Sequence, residues 1–301
     1  MKRRTLLQLG ATLPLLACST AGSDPLVATM EKIRPLFKRK SPPQPGDWLA
    51  EHKEPGQTYQ QFRETVAARA VDSYKTLRIV PIGPLTAGQS FVFDVVKEFL
   101  TPFFGLQLAI DAPVELDAIP DSAKRIQTLE GVAQLLTTYL LNDTLMKRRQ
   151  AGDAAVLGLT ASDLWPGQGW NFVFGQASLK ERVGVWSMAR NGDPDISEVD
   201  RNLCALRTVM TATHETGHMF GIRHCIAYEC GMNGSNHAEE RDRQPLEFCP
   251  ECQAKLWWTL RLDPLQRSHD LHAAANRHEF TLAAMEFAAE NDALAAAGPG
   301  S

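Results

Sequence analysis

The stretch that decides the fold is Thr-His-Glu-Thr-Gly-His-Met-Phe-Gly-Ile-Arg-His, residues 213–224. Its first two histidines, His214 and His218, are four positions apart, and the residues before them have helical spacing. On a helix, positions four apart lie roughly 40° apart around the axis. The two imidazoles therefore share one face and can bind the same ion. Neutral imidazole is a common zinc ligand, so the stretch predicts a zinc site on a helix over residues 198–220.

A third ligand is expected because catalytic zinc usually has three protein ligands and one open position. His224 can supply it only if the helix ends and the chain turns back toward the metal. Gly221 provides the means, since a glycine just after a helix readily adopts φ > 0 and ends it. The spacing therefore predicts His224 as the third ligand.

Glu215 directly follows His214, so it is expected close to the ion but off the ligand face. In that position a carboxylate can act as general base toward a water that the metal activates. The same arrangement of two histidines and a glutamate is typical of metallopeptidases. The motif thus predicts a zinc-dependent peptidase with Glu215 as the catalytic residue.

Four cysteines follow the histidines in two close pairs, Cys225 with Cys230 and Cys249 with Cys252. Four thiolates around one ion form a closed, structural zinc site, and Pro250 favours the tight turn that such a pair needs. The alternative is two disulfides, because an exported protein meets an oxidising compartment. The spacing favours the structural zinc and leaves the disulfides open.

The long histidine motif runs into Cys225-x4-Cys230-Gly231-Met232 and then into Cys249-Pro250-Glu251-Cys252. This combination resembles the archaemetzincin family of metzincin zinc metallopeptidases. The resemblance implies two zinc ions, one catalytic and one structural, and a peptide or protein substrate. It also implies that Met232 is the Met-turn residue beneath the catalytic zinc, whereas the sequence alone is equally consistent with an ordinary core methionine.

The order of predicted elements favours a mixed α/β layer ahead of the metal motif. The resemblance further implies a metzincin-like α/β (α+β) fold: a mixed twisted sheet with helices, an active-site helix and a smaller helical C-terminal subdomain. Apolar patterns predict strands at 77–82, 106–110, 154–160, 171–175 and 183–188, and helices at 91–99, 121–149, 198–220, 250–262 and 278–297.

The composition excludes some function classes. The 301 residues are 44% apolar and 22% charged, as in ordinary globular proteins, and the net charge is −4. A mild negative charge argues against a nucleic-acid partner. No stretch after residue 30 is long and apolar enough to cross a bilayer.

The N-terminus has the features of an export signal. Basic residues Arg3 and Arg4 precede a short apolar region, and Leu15-Leu16-Ala17-Cys18 resembles a bacterial lipobox. We expect residues 1–18 to be a signal peptide and Cys18 to become lipidated. Because Ser19 rather than Asp follows Cys18, we expect the periplasmic side of the outer membrane. A plain secretory peptide cleaved near Ala17 or Ala21 is the alternative, and Sec and twin-arginine export remain open.

The next segment, 19–57, is rich in proline and glycine and is expected to be a tether. The metallopeptidase domain would then span 58–301, with an N-terminal subdomain at 58–221 and a C-terminal subdomain at 222–301. Two alternatives to a peptidase use the same ligands. One is a zinc-bound peptide-binding scaffold without turnover, which would often have lost Glu215. The other is a metal-handling lipoprotein, which predicts easily exchanged zinc.

Overall fold

The structure, a computed structural model, describes residues 24–66 and 75–296. The predicted signal peptide, including Cys18, lies outside these residues. The helices of the described part are α1 Pro25–Ile33, α2 Trp48–Glu51, α3 Tyr59–Val66, α4 Ala87–Phe104, α5 Thr137–Tyr139, α6 Glu198–Met219, α7 Ala238–Asp242, α8 Pro250–Leu260, α9 Pro264–Arg277 and α10 Thr281–Ala295. The strands are β1 Thr76–Ile82, β2 Gln107–Ile110, β3 Lys124–Ile126, β4 Ala133–Leu136, β5 Asp153–Thr160, β6 Asp163–Trp165, β7 Gly175–Ser178 and β8 Val183–Ser187.

A five-stranded mixed sheet forms the centre of the fold, in the order β2-β1-β5-β8-β7. Strands β2, β1, β5 and β8 are parallel, and β7 pairs antiparallel with β8 at the edge. A smaller sheet has the order β3-β4-β6. This mixed α/β arrangement confirms the predicted fold class.

Two apolar cores cover the two faces of the large sheet, and alternate residues of one strand point to different cores. Leu77 and Ile79 of β1 belong to the core that also contains the apolar faces of α4 and α6. Val80 and Ile82 belong to the second core, beneath Leu140 and its neighbours. The central strands β1, β5 and β8 are largely buried on both faces, which explains why β5 and β8 are nearly continuous apolar runs.

The predicted helix over 121–149 is wrong in its first half. The chain forms the β3–β4 hairpin there, and helical geometry begins only with α5, continuing as a π-helix over Leu140–Leu145 and a 3-10 turn over Met146–Arg148. Gly131, at φ +69°, lies in the turn between the strands. The apolar residues that suggested a helix, Ile126 and Leu129, are 63% and 82% exposed, so their spacing does not mark a buried face.

The C-terminal part is helical, as expected, but contains three long helices where the patterns predicted two. Helices α8 and α10 match the predicted segments closely. Between them, α9 packs against α10 and α4. Its sequence is largely polar, with Leu271 among the few large apolar residues it buries, which explains why the pattern did not reveal it.

The segment expected to be a tether is folded over residues 24–57. Helix α1 buries Met30 and Ile33 against Ala254 and Trp257 of α8. Residues 37–57, which we call the strap, then cross the surface of the metal-binding region. Burial of apolar residues and the backbone hydrogen bonds described below hold this segment in place, so its prolines and glycines mark turns rather than a flexible spacer.

Within the described residues, no helix has the length and apolar character needed to cross a membrane.

Candidate metal centres

Helix α6 places the first two predicted ligands, His214 and His218, in its last two turns. The side chain of Ser197 caps its N-terminus by accepting from the backbone N–H of Asp200. The helix ends as predicted at Gly221, which has φ +89°. The N–H of Ile222 then donates to the Gly217 carbonyl at 3.2 Å, and this turn directs the chain back toward the helix.

The turn brings His224 beside the two helical histidines. The ring centroids of His214 and His218 are 4.6 Å apart, and that of His224 is 5.3 Å and 4.9 Å from them. One ring nitrogen from each of the three histidines lies within 4.8 Å of the other two. The three predicted ligands therefore converge on one point.

The hydrogen bonds of His214 and His218 determine which of their ring nitrogens face the point where the three histidines converge. Nδ1 of His214 donates to the Gly231 carbonyl at 2.8 Å, and Nδ1 of His218 donates to the Ile222 carbonyl at 2.7 Å. Carbonyl oxygens only accept, so these Nδ1 atoms carry the protons and the Nε2 atoms of neutral rings present lone pairs. These two Nε2 atoms are 3.0 Å apart.

Two lone pairs that face each other at 3.0 Å repel unless they share a cation. Protonation does not supply it, because burial lowers the pKa of His214 to about 3 and lowers that of His218 well below its ordinary value. Neutral imidazoles with converging Nε2 atoms are the donor set that zinc prefers. The residues present therefore fit a bound zinc ion.

His224 has a partner that the sequence did not suggest. Its Nδ1 donates to the carboxylate of Glu54, with distances of 2.9 Å to Oε1 and 3.1 Å to Oε2. Glu54 belongs to the strap, 170 positions earlier in the chain. Burial alone would raise the pKa of Glu54, but the hydrogen bond from His224 holds it below its ordinary value.

Glu215, the predicted base, is buried at 7% exposure and lines the same cavity as the three histidines. Burial raises its pKa to about 8 in the absence of a metal ion. Its side chain packs directly against Gly175 at the start of β7: a Cβ atom at that position would come within 2.7 Å of Glu215 Cγ. Gly175 therefore makes room for the carboxylate, which the sequence pattern did not reveal.

The four cysteines of the predicted second site also converge. Their Sγ atoms all lie within 4.8 Å of one another, with 3.6 Å between Cys225 and Cys249, and all four side chains are buried. The five cysteines in the described residues are free thiols. A compact, buried set of four sulfur atoms fits a structural zinc ion.

Hydrogen bonds around the sulfurs favour thiolates. Cys230 Sγ accepts from the backbone N–H of Cys249 at 3.1 Å and of Met232 at 3.4 Å. The ammonium group of Lys255, whose side chain is buried, lies 3.9 Å from Cys252 Sγ. The buried ammonium group offsets the excess negative charge of a four-thiolate zinc site. Beside two neutral disulfides, the positive charge of Lys255 would have no compensating negative charge from the cysteines.

Met232 lies under α6, where its Sδ occupies the space that a side chain at Gly217 would take. A Cβ at Gly217 would come within 2.6 Å of this sulfur and 3.1 Å of Phe248. Met232 is fully buried, and its carbonyl accepts from the N–H of Cys225 at 2.7 Å. It therefore supports the helix between His214 and His218 and also braces the cysteine loop.

A third group of potential metal ligands, Asp47, His237 and Glu240, is occupied by protein partners. Asp47 accepts from the guanidinium of Arg243 and from the backbone N–H of Gln44. Glu240 accepts from the backbone N–H groups of Trp48 and Asn236. These contacts anchor the strap, and we assign the group to that structural role.

The histidine site opens into a cleft with a cavity of about 810 Å³. On one side, the edge strand β7 contributes Gly175, Gln176 and Ala177 to the wall. On the other side the strap contributes Trp48, and the loop before β7 contributes Trp170. The cleft is thus large enough for several residues of an extended chain.

Comparison with known proteins places these features in one family. The model of peptidase family M54 matches residues 125–257, which contain both candidate metal sites. Archaemetzincin-2 of Pongo abelii is 32% identical over 255 residues, covering 74% of this chain and 70% of that protein. The chain belongs to the archaemetzincin family. It is a zinc-dependent metallopeptidase.

Other archaemetzincins agree with this assignment. Archaemetzincin-2 of Homo sapiens is 34% identical over 245 residues, covering 70% of this chain and 67% of that protein. The crystal structure of archaemetzincin from Methanopyrus kandleri is 33% identical, with a TM-score of 0.51, and the match covers 64% of this chain and 98% of that one. The similarity supports the same mixed α/β fold for this archaemetzincin family member.

Proposed function

We propose that His214, His218 and His224 hold the catalytic zinc of this peptidase, that Glu215 is its general base, and that the four cysteines hold a second, structural zinc. The observation that carries the catalytic assignment is the pair of Nε2 lone pairs that face each other at 3.0 Å, with both Nδ1 protons already donated to carbonyls. A metal cation satisfies this arrangement without disturbing any other hydrogen bond.

Zinc in such a site polarises a peptide carbonyl and lowers the pKa of a bound water. Glu215 is one residue beyond His214 and lines the cleft. Its carboxylate can therefore accept a proton from the attacking water and later donate it to the leaving amine. Its contact with Gly175 restricts its rotamers and keeps the carboxylate beside the metal ligands.

The edge position of β7 supports a peptide as the substrate. One side of β7 pairs with β8, and residues 175–177 of β7 line the cleft. An extended peptide can add to such an edge through main-chain hydrogen bonds. This mode of binding brings successive carbonyls past the histidine site and is tolerant of sequence.

Digestion of a peptide library, read by mass spectrometry, tests the function with two variants beside the wild type. Glu215→Gln is expected to keep its zinc and lose activity by roughly 10²- to 10⁴-fold, because the amide does not accept a proton. His218→Ala is expected to lose both the catalytic zinc and the activity. Equal cleavage by Glu215→Gln and wild type would overturn the role of Glu215, and no cleavage by wild type would favour the peptide-binding scaffold.

We also propose that the chain is exported and anchored at a membrane by a lipid on Cys18, on the basis of the basic residues, the apolar region and the lipobox-like Leu-Leu-Ala-Cys. Asp24, which is folded against the domain, follows Cys18 by six residues, so even a fully extended link spans at most roughly 20 Å. The peptidase would therefore work close to the membrane surface. Cys18→Ser should move the protein to the soluble fraction of the exported material, and a cytosolic location of the wild type would contradict the proposal.

A further inference from the structure

His224 is the ligand whose position depends most on distant parts of the chain. His214 and His218 are carried by α6, and both rings donate to backbone carbonyls of residues close to the helix end, Gly231 and Ile222. His224 follows the helix in an irregular loop. In the described residues its Nδ1 has a side-chain partner, the carboxylate of Glu54.

We propose that Glu54 is a positioning residue for the catalytic zinc and that the strap is thereby an integral part of the active site. The inference rests on the proposed ligation of zinc by His224. Both carboxylate oxygens lie within hydrogen-bond distance of Nδ1, at 2.9 Å and 3.1 Å. This contact fixes the proton on Nδ1 and directs the Nε2 lone pair toward the other two histidines.

The strap holds Glu54 in place through contacts on both sides of it. Before Glu54, Lys40 pairs with Glu229 at 2.9 Å, and its backbone N–H donates to the Ala227 carbonyl at 3.1 Å. After it, Gln57 Oε1 accepts from the N–H of Arg223 at 3.3 Å. These partners belong to the loop that begins at the end of α6 and contains His224.

An aromatic contact fixes the ring of His224 from the same segment. The indole of Trp48 meets the His224 ring edge to face, with centroids 5.1 Å apart. A partly buried hydrogen bond on Nδ1 and a packed aromatic beside the ring restrict the orientation of the imidazole. The strap therefore provides both the polar and the apolar restraint on the third ligand.

The charge of Glu54 matches the demand of the site. Three neutral imidazoles leave the two positive charges of zinc uncompensated, and Glu215 supplies one negative charge. Glu54 supplies a second one through the ring of His224, which makes the imidazole a stronger donor. Carboxylates that bond to a zinc-bound histidine in this way typically contribute roughly 10- to 100-fold to metal affinity.

The test is the rate at which the histidine site releases zinc to a competing chelator. The holoenzyme is compared with Glu54→Ala and Glu54→Gln, and the zinc of the cysteine site serves as an internal reference. We expect Glu54→Ala to release the catalytic zinc roughly 10- to 100-fold faster. Glu54→Gln is expected to be intermediate, since its amide oxygen still accepts from Nδ1 but carries no charge. The cysteine site should be unaffected.

Two control variants separate positioning from a general loosening of the strap. Glu51→Gln changes the same type of side chain three positions earlier, on the exposed face of α2, and should behave as wild type. Glu229→Ala removes the Lys40 contact but leaves Glu54 intact, and should release zinc far more slowly than Glu54→Ala. Equal release by Glu229→Ala and Glu54→Ala would assign the effect to strap docking and overturn the direct role of Glu54.

Cobalt substitution gives a readout that is independent of turnover. The visible absorption of Co²⁺ at the histidine site should change in Glu54→Ala, while the thiolate bands of the cysteine site stay the same. A wild-type spectrum together with a wild-type release rate in Glu54→Ala would overturn the inference. If the wild type binds zinc but cleaves no peptide, the proposed peptidase function fails, whereas the role of Glu54 is still decided by the metal measurements.

Discussion

Gly175 lies against Glu215 so closely that a Cβ atom at position 175 would come within 2.7 Å of Glu215 Cγ and 2.8 Å of Oε1. The first residue of the edge strand and the proposed general base are therefore packed without a gap. A side chain at position 175 has to displace the carboxylate, because the neighbouring backbone belongs to a paired strand and yields less readily.

Gly175→Ala is expected to reduce kcat/KM by about 10²-fold, the order of loss expected when a catalytic group is misplaced by about an ångström. The zinc content should remain that of the wild type, since the atoms nearest to a Cβ at position 175 all belong to Glu215 and not to a proposed ligand. Steady-state kinetics and metal analysis of the purified variant check this together. Wild-type kcat/KM in Gly175→Ala would show that the carboxylate has room to move.

The protein is expected to carry two zinc ions per chain. The histidine and cysteine sites share no residue, although His224 and Cys225 are adjacent. Metal analysis of protein made without added zinc should give two ions for the wild type and one for His218→Ala. A single zinc in the wild type, together with disulfides at Cys225, Cys230, Cys249 and Cys252, would contradict the structural site.

Loss of the proposed structural zinc should lower the stability of the fold and, through the fold, the affinity of the histidine site for zinc. Cys252→Ser is expected to lower the melting temperature and to weaken zinc binding at the histidine site as well, because the loop from Cys225 to Cys230 holds both the strap and the neighbouring His224. Thermal unfolding with metal analysis tests this. Retention of catalytic zinc at full affinity in Cys252→Ser would show that the two sites are independent.

Met232 fills a closed space beneath α6, so its replacement should cost stability in proportion to the volume removed. Met232→Ala is expected to destabilise the protein by about 2 to 5 kcal/mol. Met232→Leu, which nearly conserves volume, should cost less than about 1.5 kcal/mol. Urea unfolding of the two variants beside the wild type measures the difference, and equal destabilisation would argue against a packing role.

The buried carboxyl group of Glu290 should make the free energy of unfolding depend on pH. Burial and the nearby Glu247 raise its pKa to about 8, and its Oε1 has no hydrogen-bond partner among the residues that the structure describes. The folded protein therefore binds a proton that the unfolded chain, with an ordinary pKa near 4.5, has released. The free energy of unfolding should consequently fall as the pH rises from about 4.5 to 8.

Glu290→Gln removes this ionisation while its amide oxygen still accepts from Gln253. We expect the variant to be more stable than wild type by about 1 to 3 kcal/mol at pH 8 and about equally stable at pH 5. Chemical unfolding at the two pH values measures this, with the exposed Glu115→Gln as control. A difference that does not depend on pH would show that Glu290 is not protonated in the folded protein.

The sequence by itself predicted the proposed ligands and base and determined the local structure that positions them. The spacing of His214 and His218 requires one helix face, and a glycine at position 221 permits the left-handed turn that returns His224, so short-range geometry sufficed. The same holds for β5 and β8, whose largely apolar runs reflect burial on both faces.

Only the tertiary structure decided which distant residues support that chemistry. Glu54 reaches His224 across 170 positions, Gly175 makes room for Glu215, and Lys255 lies beside the cysteines. No periodicity or motif marks such contacts, because they depend on how separate elements pack. The segment before the domain and the β3–β4 hairpin show the same limit. The prolines and glycines of residues 24–57 indicated a flexible spacer, but α1 is buried against α8. The apolar spacing at 121–136 indicated a helix, but the chain there pairs as two strands.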